Sequence, residues 1–316
     1  MLWLEQMSQG KGDLSFKRLA TAAASAAVAE SVTFPIDFVK TWLQLQGDSR
    51  AGRCSPASRV NTLRHVVREG GIRGVYAGLG AAVLRHVPYT TTRIIVFETL
   101  SSRLGKERKT SADTLTGSAA RVVSTFGLGF VAGGVAQFIA TPLDLVKVRT
   151  IGDASKPLQE RRYTKGVFDA LCRIHREQGL KGMWTGAMPA VQRAALVNLG
   201  ELSTYDLAKT KIVESGMYAG DAIQTHITSS LLSGIVSSLI STPADVVKTR
   251  MMNQGRSGSK MMYTGSMHCL RVCWREEGIR GLYRGLLPTY LRLGPWQLTF
   301  WVTYEQLNST LHSLDI

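Results

Sequence analysis

Pro142-Leu143-Asp144-Leu145-Val146-Lys147-Val148-Arg149 closes a long apolar run with a proline, an acid and two bases at fixed offsets. The pattern returns as Pro35-Ile36-Asp37-Phe38-Val39-Lys40 and as Pro243-Ala244-Asp245-Val246-Val247-Lys248-Thr249-Arg250, so the prolines stand 107 residues apart from 35 to 142 and 101 from 142 to 243. A second motif follows each copy: Glu69-Gly70 with Tyr76-Ala77-Gly78, Gln178-Gly179 with Trp184-Thr185-Gly186, and Glu277-Gly278 with Tyr283-Arg284-Gly285. Two unrelated motifs that recur together at one period of about a hundred residues define three tandem modules.

A chain of 316 residues would ordinarily make about two soluble domains. Three repeats, 31 glycines and a mean hydropathy near zero describe a different architecture. The formal charge of +15 fits nucleic-acid binding, contact with an anionic membrane, or an anion-handling interior. The first requires basic clusters interleaved with aromatics on a soluble fold, whereas the bases here lie around and inside apolar runs. The cysteines, Cys54, Cys172, Cys269 and Cys273, show no metal-ligand spacing. Cys269 and Cys273, one helical turn apart, read as small, partly buried thiols in a reducing compartment.

Residues 1–14 form an N-terminal tail without the layout of a signal peptide. The run from Leu19 to Ile36 is long enough to span a bilayer, rich in alanine and serine, and carries one acid, Glu30. The runs from Gly127 and from Ile227 to the next two proline motifs repeat this style, and Gly129 and Gly133, then Ser230 and Gly234, predict close helix packing through small residues. The even-numbered helices, 79–100, 187–208 and 286–306, carry charges that lower their hydropathy. A charge at the bilayer centre costs about 2.5–3.5 kcal/mol on insertion scales, so these side chains should face a wet or paired interior. Segments 60–68, 167–176 and 266–275 have the apolar spacing of interfacial amphipathic helices. The chain therefore reads as an all-α membrane protein of six transmembrane helices, with repeats over 15–107, 118–214 and 223–312.

Three copies of Pro-x-Asp-x-x-Lys, each followed by an acid or amide, glycine and an aromatic-x-Gly, resemble the mitochondrial carrier family over essentially the whole chain. Arg193-Ala194-Ala195-Leu196-Val197-Asn198, Thr204-Tyr205-Asp206, Thr242-Pro243-Ala244-Asp245 and Phe300-Trp301 with Thr303-Tyr304-Glu305 resemble its uncoupling-protein branch, and within that branch its type 4 members. The resemblance implies a matrix gate built from Asp37, Lys40, Asp144, Lys147, Asp245 and Lys248, braced by Gln44 but by no glutamine at Ile151 or Met252. Trp42 stands where the other repeats have Arg149 and Arg250. Solvent-wet ion pairs are worth about 0–1 kcal/mol each, which would make the ring easy to open. A cytoplasmic gate is implied at Glu98, Tyr205 with Asp206 and Lys209, and Tyr304 with Glu305; Ser101 and Asn308 replace two of its bases.

Seven residues after Gly78, Gly186 and Gly285 stand Arg85, Arg193 and Arg292, three guanidiniums at equivalent height that would trap an anion. The alternative is that acids neutralise them as structural pairs. Eight residues further on come Arg93, Glu201 and Phe300, and an Arg93 to Glu201 pair across the cavity is expected; Asn198 joins the substrate-binding set. Glu30 has only Gln137 and Ser238 at its equivalent sites, and a lone carboxylate there can hold a proton. The resemblance gives Glu30 proton transfer and His226 pH sensing. The starts of the even helices at Gly78, Gly186 and Gly285 should offer backbone amides to cardiolipin as a structural lipid. Purine nucleotides are candidate inhibitors.

No nucleophile and base constellation or phosphate loop is present, so an enzyme is not expected. The expected protein is a monomeric carrier of the mitochondrial inner membrane, with both termini facing the intermembrane space. It would move small anions, protons or both by alternating access. Two further readings remain open: an exchanger of dicarboxylates or inorganic anions without proton leak, and a soluble helical scaffold.

Overall fold

The computed structural model describes residues 16–45, 71, 74–108, 116–154, 156, 158–215, 223–254 and 263–314, with the backbone alone at some positions, among them 198, 201, 206 and 226. The tail 1–14, Cys54, the segment 60–68 and Glu69-Gly70 lie outside the described residues, as do the side chains of Asn198, Glu201, Asp206 and His226. Six helices are long: α1 Phe16–Leu45, α2 Leu79–Arg108, α3 Thr116–Ala154, α5 Ala187–Glu214, α6 Ile223–Asn253 and α8 Leu286–Leu314. At 28 to 39 residues and 1.5 Å rise per residue, each exceeds the ~30 Å hydrocarbon core. Two shorter helices, α4 Val167–Met183 and α7 Ser266–Leu282, follow the second and third proline motifs and contain the predicted amphipathic segments. Both turn a corner inside, at Gly179 (φ 67°) and Gly278 (φ 65°), which are the glycines of the second motif. Positive φ there strains any residue with a Cβ.

The helices pack as a closed ring, each even helix lying mainly against the odd helix of the next repeat: α2 on α3, α5 on α6, and α8 on α1. Each even helix also meets the odd helix of its own repeat, and α1, α3 and α6 meet one another, where the charges of the proline motifs pair. Pro35, Pro142 and Pro243 lie inside these three helices and bend them inward. The backbone bond that Pro142 cannot make leaves the Phe138 carbonyl without its usual donor. The indole Nε1–H of Trp184 donates to that carbonyl at 3.1 Å, so the aromatic of the second motif completes the proline of the first.

Burial along the odd helices is inverted relative to a soluble protein. In α3 the buried stripe is Ala132, Ala136 and Ala140, and in α6 it is Ser229, Ser233, Ser237 and Ser241. Phe130, Val131, Val135, Phe138 and Ile139 of α3, and Leu231, Leu232, Ile235 and Leu239 of α6, are exposed. Small residues inside and large apolar ones outside are what a lipid solvent selects, because hydrocarbon gives no reward for hiding leucine. Of the positions expected to pack closely, Gly234 approaches Tyr290 and Leu293, whereas a Cβ on Gly129 or Gly133 would meet nothing and Ser230 is exposed; Gly134, against Val191, and Gly200, against Ser237, approach a neighbour instead. Alternate helix faces differ by a single residue step, so spacing alone could not select between them. Cys269 and Cys273 are fully buried under α7 rather than partly so, while Cys172 is exposed.

Ala136→Leu should therefore lower stability by about 1–3 kcal/mol through overpacking. Val135→Leu, one residue away on the outer face, should change it by less than about 0.5 kcal/mol. Thermal unfolding of both variants in lipid-supplemented detergent checks the difference.

Candidate functional site

The proline motifs bring their charges to one level, where each lysine reaches the aspartate of another repeat. Lys147 Nζ is 2.5 Å from Asp37 Oδ2, Lys248 Nζ is 2.8 Å from Asp144 Oδ2, and Lys40 Nζ is 2.8 Å from Asp245 Oδ2. The pairs close a ring through all three repeats. Their side chains are 6–15% exposed. Wet pairs were expected, but the ring is buried, and breaking one member of a buried pair costs about 3–5 kcal/mol rather than a fraction of one.

Each aspartate has a second base. Arg85 Nε stands 3.3 Å from Asp144 Oδ1, Arg193 Nε 2.6 Å from Asp245 Oδ1, and Arg292 Nε 2.8 Å from Asp37 Oδ1. The arginines enter from α2, α5 and α8, and each meets the odd helix on which its own helix packs. Sequence reading offered an anion trap or structural pairs as alternatives. In this conformation the arginines are held in pairs, 20–29% exposed, and the acids that hold them belong to the ring below.

Glu30 is not a lone carboxylate. Its Oε1 accepts from Lys147 at 2.8 Å, and its Oε2 lies 3.5 Å from His86 Nε2 and 3.9 Å from Arg292. Six bases thus face four acids at this level: Lys40, Lys147, Lys248, Arg85, Arg193 and Arg292 against Asp37, Asp144, Asp245 and Glu30. His86 was missed in the sequence, although comparing the residue after each arginine (His86, Ala194, Leu293) would have found it.

Gln44 does not bond the ring itself: its Oε1 accepts from the Thr249 hydroxyl at 2.8 Å, next to Lys248. The stronger braces are Arg149 and Arg250, which sequence reading left without a role. Arg250 holds Glu277 with two bonds of 2.6 and 2.9 Å and donates to the Gln44 carbonyl at 3.3 Å. Arg149 donates to Gln178 at 2.8 Å and to the Met252 carbonyl at 3.1 Å. The last base of one motif thereby ties down the acid or amide of the other, and the shared period was the available signal. Arg250 also donates to Cys273 Sγ at 3.0 Å. The neighbouring Cys269 thiol, 3.9 Å away, and this guanidinium hold the Cys273 thiol below its ordinary pKa.

At the opposite end Glu98 and Glu305 are exposed, and among the described residues no ion pair joins Glu98, Lys209 and Glu305. Tyr304 stacks on Phe300 at 6.0 Å, and Tyr205 is half-buried. Arg93 Nε is buried without a hydrogen-bond partner among the described residues, and its expected partner Glu201 lies outside them. Gly78, Gly186 and Gly285 have φ of 97°, 86° and 86°. A Cβ on Gly186 would stand 2.6 Å from Met252, and one on Gly78 or Gly285 would stand 3.3 Å from the carbonyl of Lys147 or Lys40. The amides that follow them, of Leu79, Ala187 and Leu286, already donate to Tyr76, Trp184 and Tyr283. Gly78 and Gly285 therefore seat α2 and α8 on the backbone of Lys147 and Lys40, and Gly186 seats α5 on Met252.

Exchanging an isolated ion pair restores it, but exchanging a shared one does not. Asp144→Lys alone should cost about 3–5 kcal/mol. Adding Lys248→Asp should recover little, because the introduced ammonium would face Arg85. Unfolding of the single and double variants decides between the two cases.

The sequence profile described as "Mitochondrial carrier protein" matches residues 13–108, 118–216 and 221–314. The chain is 42% identical to mitochondrial uncoupling protein 3 of Arabidopsis thaliana over 92% of each chain. It is 33% identical to mitochondrial uncoupling protein 4C of Drosophila melanogaster, over 92% of this chain and 87% of the relative. The mitochondrial 2-oxoglutarate/malate carrier protein of Bos taurus is 36% identical over 89% and 86%. With all three repeats matched over nearly their full length, the chain belongs to the mitochondrial carrier family and is a transporter.

Proposed function

We propose that the protein is an uncoupling-type transporter of the mitochondrial inner membrane that moves small anions, and protons with them, by alternate opening of two gates. The observation that carries this reading is the sharing of each ring aspartate between a gate lysine and a cavity arginine. The Nε atoms of Arg85, Arg193 and Arg292 lie at ion-pair distance from the aspartates without a hydrogen bond, and an arriving carboxylate or phosphate would offer these guanidiniums charge-assisted bonds in competition with the aspartates. Each arginine that turns to the anion leaves its aspartate with one base instead of two, and the ring below is loosened. Binding energy is thereby converted into gate opening, as a ligand with different affinity for two states must do. The excess of two bases at this level favours a dianion, which would be neutralised on entry.

In this reading the proline-motif ring is the matrix gate and is closed, the termini face the intermembrane space, and the carrier works as a monomer. The ring at Glu98, Tyr205, Asp206, Lys209, Tyr304 and Glu305 is the cytoplasmic gate, with Lys209 as its one base. Unequal gates bias the resting protein toward the outward-open state. His226 and purine nucleotides would act as regulators. Cardiolipin would bind beside the starts of the even helices at Gly78, Gly186 and Gly285, and its retention in native mass spectrometry tests that part.

A second reading, exchange of dicarboxylates without proton leak, is favoured by the 36% identity to the 2-oxoglutarate/malate carrier. The two readings separate in liposomes, since exchange requires a counter-anion inside and leak does not.

Arg193→Ala should abolish anion uptake by proteoliposomes while the protein stays folded in the membrane, because Asp245 keeps Lys40. Normal uptake by this variant would refute the anion site. Cysteines introduced at Asn198 and Gln297 should react with impermeant thiol reagents faster from the intermembrane side than from the matrix side. Placing lysines at Ser101 and Asn308 should slow that labelling by strengthening the opposite gate.

A further inference from the structure

The three ring aspartates have different neighbours on their own helices. Seven residues before Asp37, Asp144 and Asp245 stand Glu30, Gln137 and Ser238, all buried. Gln137 Nε2 donates to Asp144 Oδ2 at 2.8 Å, the same oxygen that accepts from Lys248 at 2.8 Å. Asp245 is held by Lys40 and Arg193, and among the described residues no bond from Ser238 reaches it. Glu30 acts in the opposite sense to Gln137, because it accepts from Lys147 and so takes a share of the lysine that Asp37 uses.

A carboxylate that already accepts good donors has less need of another. Asp144 therefore depends on Arg85 less than Asp245 depends on Arg193 or Asp37 on Arg292. The distances follow this order: Arg85 Nε stands 3.3 Å from its aspartate, against 2.6 Å for Arg193 and 2.8 Å for Arg292. Arg85 also has a second resting place, since its guanidinium lies 5.7 Å from the ring centroid of Tyr89, one turn further along α2. The equivalent positions are Val197 and Trp296, and Trp296 stacks instead on His86 and Phe300. The bond from Gln137 to Asp144 lies within α3 and travels with that helix, whereas Lys248 and Arg85 come from α6 and α2 and leave when the helices part.

We infer that Gln137 is a positioning residue that frees Arg85, which makes Arg85 the first anchor of an arriving anion. Arg85 turns to the anion while Gln137 and Lys248 keep Asp144 compensated. Arg193 and Arg292 then complete the site, each leaving an aspartate that has no such amide. The anion thus enters on the α2 side of the cavity, and the threefold ring is loosened from one corner. This inference rests on the anion-transport reading above.

The test measures the rate at which phenylglyoxal modifies each arginine of the full chain in lipid-supplemented detergent, read by peptide mass spectrometry. The side chains of Arg85, Arg193 and Arg292 are 21, 29 and 20% exposed, so a difference in rate reports how firmly each is held. In the wild type Arg85 should react several-fold faster than the other two, and malate, phosphate or sulfate should protect it. In Gln137→Met, close to isosteric but without the donor, Arg85 should slow to the rate of the others. The anion concentration that half-protects it should rise about tenfold. Ser238→Ala, at the equivalent place beside Asp245, should change neither value. A merely structural role for Gln137 predicts the opposite sign, since a loosened ring exposes its arginines. Equal rates at the three arginines of the wild type overturn this inference alone and need no variant to fold. An unchanged or faster rate at Arg85 in Gln137→Met also overturns it. Protection of no arginine by any of the three anions overturns the anion reading and this inference together.

Discussion

The arrangement depends on one constraint: a buried carboxylate must be compensated, and here each aspartate of the ring is compensated twice. Asp37, Asp144 and Asp245 each sit between a lysine from one neighbouring repeat and an arginine that descends from the cavity. Neither base is in the same repeat as the acid. The ring therefore forms only when all three modules are docked, and the fold and the proposed gate share the same interactions. Removing water from such a cluster is costly, and good geometry at every member is what repays it. In the proposed function the same feature would make the cluster responsive, since a competing anion would change the compensation of all three acids together.

The surrounding architecture lets those helix ends meet. Stripes of alanine and serine bring the helices close along their length, while valine, leucine and phenylalanine are left to the lipid. The prolines then bend α1, α3 and α6 together at one end. Arg149 and Arg250 anchor those ends to α4 and α7 through Gln178 and Glu277. A movement that parts the ends of α3 and α6 has to carry α4 and α7 with it, since they are attached by fully buried guanidiniums.

The sequence made much of this legible because the relevant signals are local and repeated. The helices, the proline bends and the inter-repeat lysine to aspartate pairs all follow from a motif that recurs in three places. Contacts between helices of different registers were not legible. Whether Arg85 faces an anion or Asp144 depends on how far α2 sinks along α3, and a periodic pattern does not contain that distance. The exposure of the ring was misjudged for the same reason: charges near a helix bend look wet until three helices close over them. The sharing of Lys147 between Glu30 and Asp37, 117 and 110 positions away, required the packed structure. His86 and the roles of Arg149 and Arg250 were available from repeat comparison.

The central claim is that an anion opens the gate by taking arginines from its aspartates. Spin labels on Leu45→Cys and Asn253→Cys, at the proline-motif ends of α1 and α6, report the separation of those ends by pulsed dipolar spectroscopy. The account predicts that a transported anion shifts the distance distribution towards longer values, and that the shift is absent when Arg193→Ala is added. Saturating binding of the anion with an unchanged distribution would contradict it.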